Sequence, residues 1–461
     1  MRVARDVGIA TATAVGAPAA DPPDAGPSVL RDCADAEAYV ASVCFKIGPP
    51  RLVGVELEWL LHQPSAPEVP PDPAVLVTAL GPHTPTTLDP SSSALPLPAG
   101  SAVTVEPGGQ IELASPPLPD LGGLLQTVRA DADALHHLLA GQGLQPHLRA
   151  TDPVRPAVRI LDVPRYRAME QAFDRLGPHG RSAMCSTAAV QVCVDAGENG
   201  DVAERWAAVH AFGPVLLAAF ANSPLLHGRP TGWKSSRWAC WQRADPSRTV
   251  PPRISDVTTE DPATAWARRV LSSPLLLVRR EGAWEVPSGV TFADWVNGAL
   301  SVPPTTADLD YHVSTLFPPV RPHGHLEVRY VDAQPGRRWA LPVAVIAALL
   351  SDTVVTGKAR EACEPAEGRW TEAARFGLAD QPLARAAATL FELACDRLTG
   401  LGAPRWVADD LADMTERQVL RGLCPADTSV DVSADRLVGD LATDHAENPT
   451  RQPAPPEGET S

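Results

Sequence analysis

The sequence predicts an α+β fold, a mainly antiparallel β-sheet with helices packed on one side. Three observations predict it. Short segments with an apolar residue at every second position alternate with longer segments of helical period. The strand-like segments are not spaced as regular βαβ units. No G-x-G-x-x-G or Walker A sequence occurs, which argues against Rossmann and P-loop nucleotide folds.

The elements follow in order. Strands are predicted at 52–60, 102–106, 110–114, 144–149, 187–195, 275–280 and 325–332 from period-two alternation. Helices are predicted at 33–44, 119–141, 166–176, 202–221, 261–272, 305–316, 341–355, 381–398 and 406–421. One short helix near 72–81 interrupts the Pro/Ser-rich stretch from His62 to Gly100. Asp120 and Asp380 are placed as helix N-caps. Asn222-Ser223-Pro224 closes the long helix, since the residue before a proline avoids helical backbone. Ser235-Ser236-Arg237-Trp238 opens the next. Glu106-Pro107-Gly108-Gly109-Gln110 is a tight turn between two short strands. Residues 1–27 and 431–461 lack hydrophobic period and are expected to be disordered extensions, leaving 28–430 as a single domain.

Composition excludes several function classes. The net charge is −16, from 39 basic and 55 acidic residues, against the basic face that nucleic acid needs. The longest apolar stretch, Trp339 to Leu350, is too short to span a bilayer and contains a proline. The first 25 residues have no apolar signal region. The eight cysteines form no C-x-x-C pair, so free thiols in a reducing cytoplasm are expected. Only three basic residues are lysines. An anionic ligand must therefore be held mostly by arginine or by metal ions.

The candidate chemistry lies on the strand faces. In 53–58, Val53, Val55 and Leu57 share one face, and Glu56 and Glu58 the other. Taken alone, such a strand reads as a solvated sheet edge or face. The pattern recurs, however. Ile111 and Leu113 oppose Glu112; Val190, Val192 and Val194 oppose Gln191 and Cys193. Every odd position from Arg321 to Arg329 is polar, with Glu327 among them. If these strands share a sheet, their polar faces converge into a carboxylate pocket rimmed by arginine. Such a pocket suits Mg²⁺, which prefers oxygen ligands and completes its shell with water and nucleotide phosphate. Arginine beside it supplies what phosphoryl transfer needs.

These residues also carry a resemblance. Val53–Glu58, Glu106–Leu113 (E-P-G-G-Q-x-E-L), Thr187–Asp195, Phe220–Pro224 and Thr315–Asp332 occur in an order that resembles the glutamate–cysteine ligase family of the plant and bacterial type. The likeness covers roughly 30–425 and is weak in 60–100. It is nearest to the actinobacterial branch that feeds ergothioneine synthesis. The resemblance implies an antiparallel sheet funnel surrounded by helices, akin to glutamine synthetase and the guanido kinases, with 28–430 as the catalytic domain. It implies an enzyme that uses ATP and Mg²⁺ to phosphorylate the γ-carboxylate of L-glutamate, after which the amine of L-cysteine attacks. It further implies that Glu56, Glu58, Glu112 and Glu327 are metal ligands. By the same resemblance Arg329 and Glu327 serve catalysis, and Gln191, Arg237 and Glu106 lie at the substrates. A cytoplasmic monomer or weak homo-oligomer is expected, with small-molecule substrates and no membrane or nucleic-acid partner. The family's basic residues near 323 and 325 are histidines here. A regulatory disulfide is not supported, and Cys185 and Cys193 lack an activating base, so structural thiols are expected. Two other readings stay open: a carboxylate–amine ligase with a different acid or amine, and a non-catalytic acidic metal-binding scaffold.

Overall fold

A strand pairs only where its edge meets another, and among the described residues ten segments do so. They are β1 (Val53–Trp59), β2 (Leu61–His62), β3 (Ala102–Val105), β4 (Ile111–Ala114), β5 (Gln145–Pro146), β6 (Ala189–Val194), β7 (Leu225–Leu226), β8 (Arg229–Pro230), β9 (Val320–Pro322) and β10 (Leu326–Asp332). The computed structural model describes residues 26–198 and 200–428. Most of the expected N-terminal extension and all of 431–461 lie outside the described residues. Contacts divide the chain after Ala426.

Six strands form one sheet in the order β3-β4-β1-β6-β10-β9, every neighbouring pair antiparallel. The alternation sets the faces. Val55, Leu57, Val103, Ile111, Leu113, Val190, Val192 and Val328 are buried. Glu56, Glu58, Thr104 and Glu112 alternate with them and are only half-buried. Behind the apolar face lies the helix Val202–Ala219, which packs on β10. Its residues are buried around nearly the whole circumference, as expected for a helix that is apolar all round. The helices Ala340–Leu349 and Gln381–Leu398 complete that side.

Local signals place the element ends. The Asp120 side chain accepts from the N–H of Gly123, and that of Asp380 from Leu383. The short helix Pro73–Leu80 is capped by Asp72. Ser235 caps the helix Ser236–Ala244 by accepting from Trp238 N–H.

Four expectations are corrected. The segment 275–280 is not a strand; it holds single bonds, Leu275 to Val290 and Val278 to Trp284, with no continuous ladder. Leu275 to Val278 are buried as core filling, which gives an apolar run without a sheet neighbour. Of 144–149, only Gln145–Pro146 pairs, with β2. The segment 321–329 is a hairpin rather than one strand, turning through Gly324 at φ +76°. The helix predicted at 341–355 breaks: Leu350 ends one helix, Asp352 caps a second over Thr353–Cys363, and the two bend by 109°. An aspartate able to accept from two backbone N–H groups outcompetes helix continuation there. The helices His179–Cys185 and Trp370–Phe376 were too short to carry a readable period.

Candidate active site

Directly paired residues of antiparallel strands share a face, so the register assembles the site. One row runs Thr104–Glu112–Glu58 across β3, β4 and β1. A second brings Glu56 opposite Gln191. A third brings Cys193 beside Glu327, and Glu327 beside Arg321 across the hairpin. The pocket is thus built on four consecutive central strands and closed at one edge by β9.

Arg329 reaches the pocket through a β-bulge. Val328 pairs with Val192 and Val331 with Val190, so Arg329 and Tyr330 together oppose Gln191. A bulge re-aims side chains at such points. Tyr330 enters the core with its hydroxyl donating to Val209 O, while Arg329 turns to the polar side. Its Nη1 donates to both Gln191 Oε1 and Glu327 Oε1. The same bulge shifts the alternation by one, so that Asp332, not Val331, faces Ala189 on the polar side.

The carboxylates differ sharply in their surroundings. Glu327 is buried and held by two arginines; Arg321 donates through Nε at 2.8 Å and Nη2 at 2.9 Å. Burial pushes Glu327 up, but Arg321 and Arg329 outweigh it and hold its carboxyl well below the usual range. Glu58 accepts from Ala189 N–H at 2.9 Å and from Gln191 Nε2 at 2.7 Å. Burial and then Glu106 push it up to about 7. Glu112 accepts from Thr104 Oγ1 at 2.6 Å and is pushed up to about 8 by burial, Glu106 and Glu58. Glu56 rises well above the ordinary value through burial and the nearby charges of Glu112 and Glu327. Glu106 is raised by burial, against the pull of Arg165, Arg329 and Arg321.

Among the described residues Glu56, Glu58 and Glu112 form no ion pair. Burial first, and then neighbouring carboxylates, raise all three against the pull of Arg329. Hard oxygen donors outside any ion pair fit a divalent cation of the Mg²⁺ type. No three His, Cys, Asp or Glu side chains among the described residues come close enough to hold an ion by themselves. Water and substrate oxygens would have to complete any shell, as Mg²⁺ commonly requires.

The Glu106–Gln110 turn is locked to the sheet. Gln110 Nε2 donates to Thr187 O at 2.9 Å, and Gly109 N–H donates to Glu106 O. A Cβ at Gly108 would stand 2.1 Å from the Cys185 carbonyl oxygen, and Gly109 lies at φ +86°. Only glycine allows that approach and that backbone.

The structure brings Glu56, Glu58, Glu106, Glu112, Gln191, Glu327 and Arg329 around one pocket. Arg237 lies at its border and is 5% exposed, its Nη2 donating to Arg329 O at 2.8 Å. A small cavity of about 20 Å³ opens there, lined by Arg237, Arg329, Trp238, Trp241 and Phe317 among others. Sequence reasoning missed Thr104, which shares parity with Glu106 and was findable. Arg321 stood in the alternating run, but its pairing with Glu327 required the hairpin. Asp332 carried no sequence signal, because the bulge inverts its parity. All eight cysteines are free thiols.

The family model "Glutamate-cysteine ligase family 2" matches residues 52–444. The glutamate–cysteine ligase EgtA of Mycobacterium tuberculosis is 37% identical over 424 residues, covering 90% of this chain and 93% of that protein. The EgtA of Mycolicibacterium smegmatis is 41% identical over 348 residues, covering 72% and 81%. The chloroplastic glutamate–cysteine ligase of Nicotiana tabacum is 32% identical over 266 residues, covering 55% and 49%. A solved glutamate–cysteine ligase from Francisella tularensis in complex with AMP shares the fold at TM-score 0.50 and 13% identity, covering 83% and 84%. The protein with this pocket belongs to glutamate–cysteine ligase family 2.

Proposed function

We propose that the pocket joins L-glutamate to L-cysteine at the expense of ATP. The γ-carboxylate attacks the terminal phosphorus and releases ADP. The cysteine amine then displaces phosphate from the acyl phosphate and loses a proton, giving γ-glutamylcysteine. The observation that carries this reading is the row of carboxylates facing Arg329 across a single sheet. Joining a carboxylate to a triphosphate brings anions together, so the reaction needs concentrated positive charge. Glu56, Glu58, Glu112 and Glu327 would hold Mg²⁺, which when bound offsets phosphate charge and orients the transferring group. Arg329, kept protonated by Glu327, Glu58 and Glu56 despite its burial, receives the charge developing on the phosphoryl oxygens. Gln191 fixes Arg329 and Glu58 at once and so sets their spacing. Arg237 holds a carboxylate of glutamate, and Glu106 lies at the substrates. The half-buried setting limits water, which would hydrolyse the acyl phosphate.

The same reading places residues 28–430 in one catalytic domain with a funnel akin to glutamine synthetase and the guanido kinases. The product would feed ergothioneine synthesis in the cytoplasm, from a monomer or weak homo-oligomer. Among the described residues no single helix is long and apolar enough to cross a membrane. The test is mass-spectrometric detection of γ-glutamylcysteine from glutamate, cysteine and Mg-ATP. ADP release with a different amine and none with cysteine would replace this reading by another carboxylate–amine ligase. No turnover and no Mg-ATP binding heat would leave a scaffold.

A further inference from the structure

The structure assigns Asp332 as a positioning residue that aims Arg237 at the amino-acid carboxylate, an inference that rests on Arg237 binding glutamate. Asp332 is fully buried at the end of β10 and is not among the pocket carboxylates. Three groups donate to it: Asn222 N–H at 2.9 Å and Ser223 Oγ at 2.6 Å to Oδ2, and Ser235 Oγ at 2.9 Å to Oδ1. A buried carboxylate facing only donors is held as an acceptor. The guanidinium of Arg237 stands beyond hydrogen-bond range, its Nη1 3.8 Å from Oδ1.

That spacing is the point. Asn222, Ser223 and Ser235 occupy the carboxylate, so it balances the charge of Arg237 without taking up its donors. Arg237 is anchored on its other side by Nη2 to Arg329 O, and its backbone N–H donates to Ser223 Oγ at 3.1 Å. Its Nε and Nη1 are buried and find no partner in the protein. A buried charged donor without an acceptor is costly. Here the cost is met by the nearby charge, and the free donors remain for a ligand carboxylate at the cavity shared with Arg329. Two distant segments converge on Asp332 at the end of β10: the loop after helix Val202–Ala219 and the cap of helix Ser236–Ala244. A role confined to stability would not require unpartnered donors on the neighbouring arginine.

The test is steady-state kinetics of Asp332→Asn, Arg237→Lys and the double variant, with thermal melting of each. Arg237→Lys is expected to raise the KM for glutamate. Asp332→Asn is expected to raise it about tenfold, with kcat changed less than about threefold and the KM for Mg-ATP unchanged. The double variant should be no worse than Arg237→Lys alone, because Asp332 acts through Arg237. If all three KM values and kcat move together with the melting temperature, or the two effects multiply, the positioning role is overturned. If Arg237→Lys leaves the glutamate KM unchanged, the reading of Arg237 itself falls. If Arg237→Lys is impaired but Asp332→Asn is not, only the inference falls. Should Asp332→Asn fail to fold, Ser223→Ala carries the test. It removes one anchor of Asp332 and one of Arg237 and should raise the glutamate KM about threefold with the same split; an unchanged glutamate KM there overturns the proposal.

Discussion

Replacing Glu327 by glutamine takes one negative charge from between two guanidinium groups. Arg321 and Arg329 then face each other without compensation, a loss of about 3 kcal/mol of stability by analogy with broken buried pairs. We expect Glu327→Gln to keep its circular dichroism spectrum and to lower kcat on the order of 10²-fold or more. Turnover within twofold of the parent, measured as ADP release, would remove Glu327 from the machinery. Glu112 makes the opposite case, because it sits directly across from Glu58. Like charges in that position are destabilising, so above pH 8, where both carboxylates are ionised, Glu112→Gln should stabilise the metal-free protein by up to about 1 kcal/mol, read as a higher melting temperature. The same variant should lose most of the Mg²⁺-induced thermal shift. A Mg²⁺ titration that shifts parent and variant equally would contradict the ligand role.

Among elements, the Glu106–Gln110 turn connects sequence to site most directly. Its backbone touches the end of helix His179–Cys185, and its side chain Gln110 bonds to the approach to β6. Gly108→Ala would drive a Cβ to 2.1 Å from the backbone carbonyl oxygen of Cys185. We expect a loss of about 2 kcal/mol or more, read as a lower urea midpoint with an unchanged slope. A midpoint equal to the parent would show that the helix end yields. The bulge in β10 has the same standing for function. It gives up one regular ladder position and in return brings Asp332 to the same polar side of the sheet as Arg329.

For the whole molecule, acid stability depends on rings packed far from the pocket. His210 Nδ1 donates to Trp206 O at 2.8 Å, and His312 Nε2 donates to Val270 O at 3.0 Å. Burial lowers them to about 4 and about 3, helped at His210 by Arg269 and at His312 by Arg248. Their folded values lie below the ordinary 6.5, so the unfolded chain binds more protons in between. The stability they contribute is complete above pH 6.5 and is lost as pH falls towards 4. Glu58 and Glu112 act in the opposite sense, since their raised values favour the folded state as pH falls. A difference measurement separates the two. Between pH 6.5 and 4, His210→Gln should flatten the slope of unfolding free energy by about 1.4 kcal/mol per pH unit relative to the parent. Parallel slopes would mean that His210 is already charged in the folded protein.

The two faces of each central strand, the caps at Asp120, Asp380 and Ser235, the glycine turn and the carboxylates of the pocket were legible along the chain. These are local properties: period two reports the face, and a cap or turn acts within a few residues. Folding was needed to show that Arg321 answers Glu327, that a bulge follows Val328, and that 275–280 fills core instead of joining the sheet. It alone placed Asp332 under Ser223 and Ser235, which lie 109 and 97 residues away along the chain. Alternation records which way a side chain points, but register and the partners that saturate a buried charge depend on segments that meet only after folding.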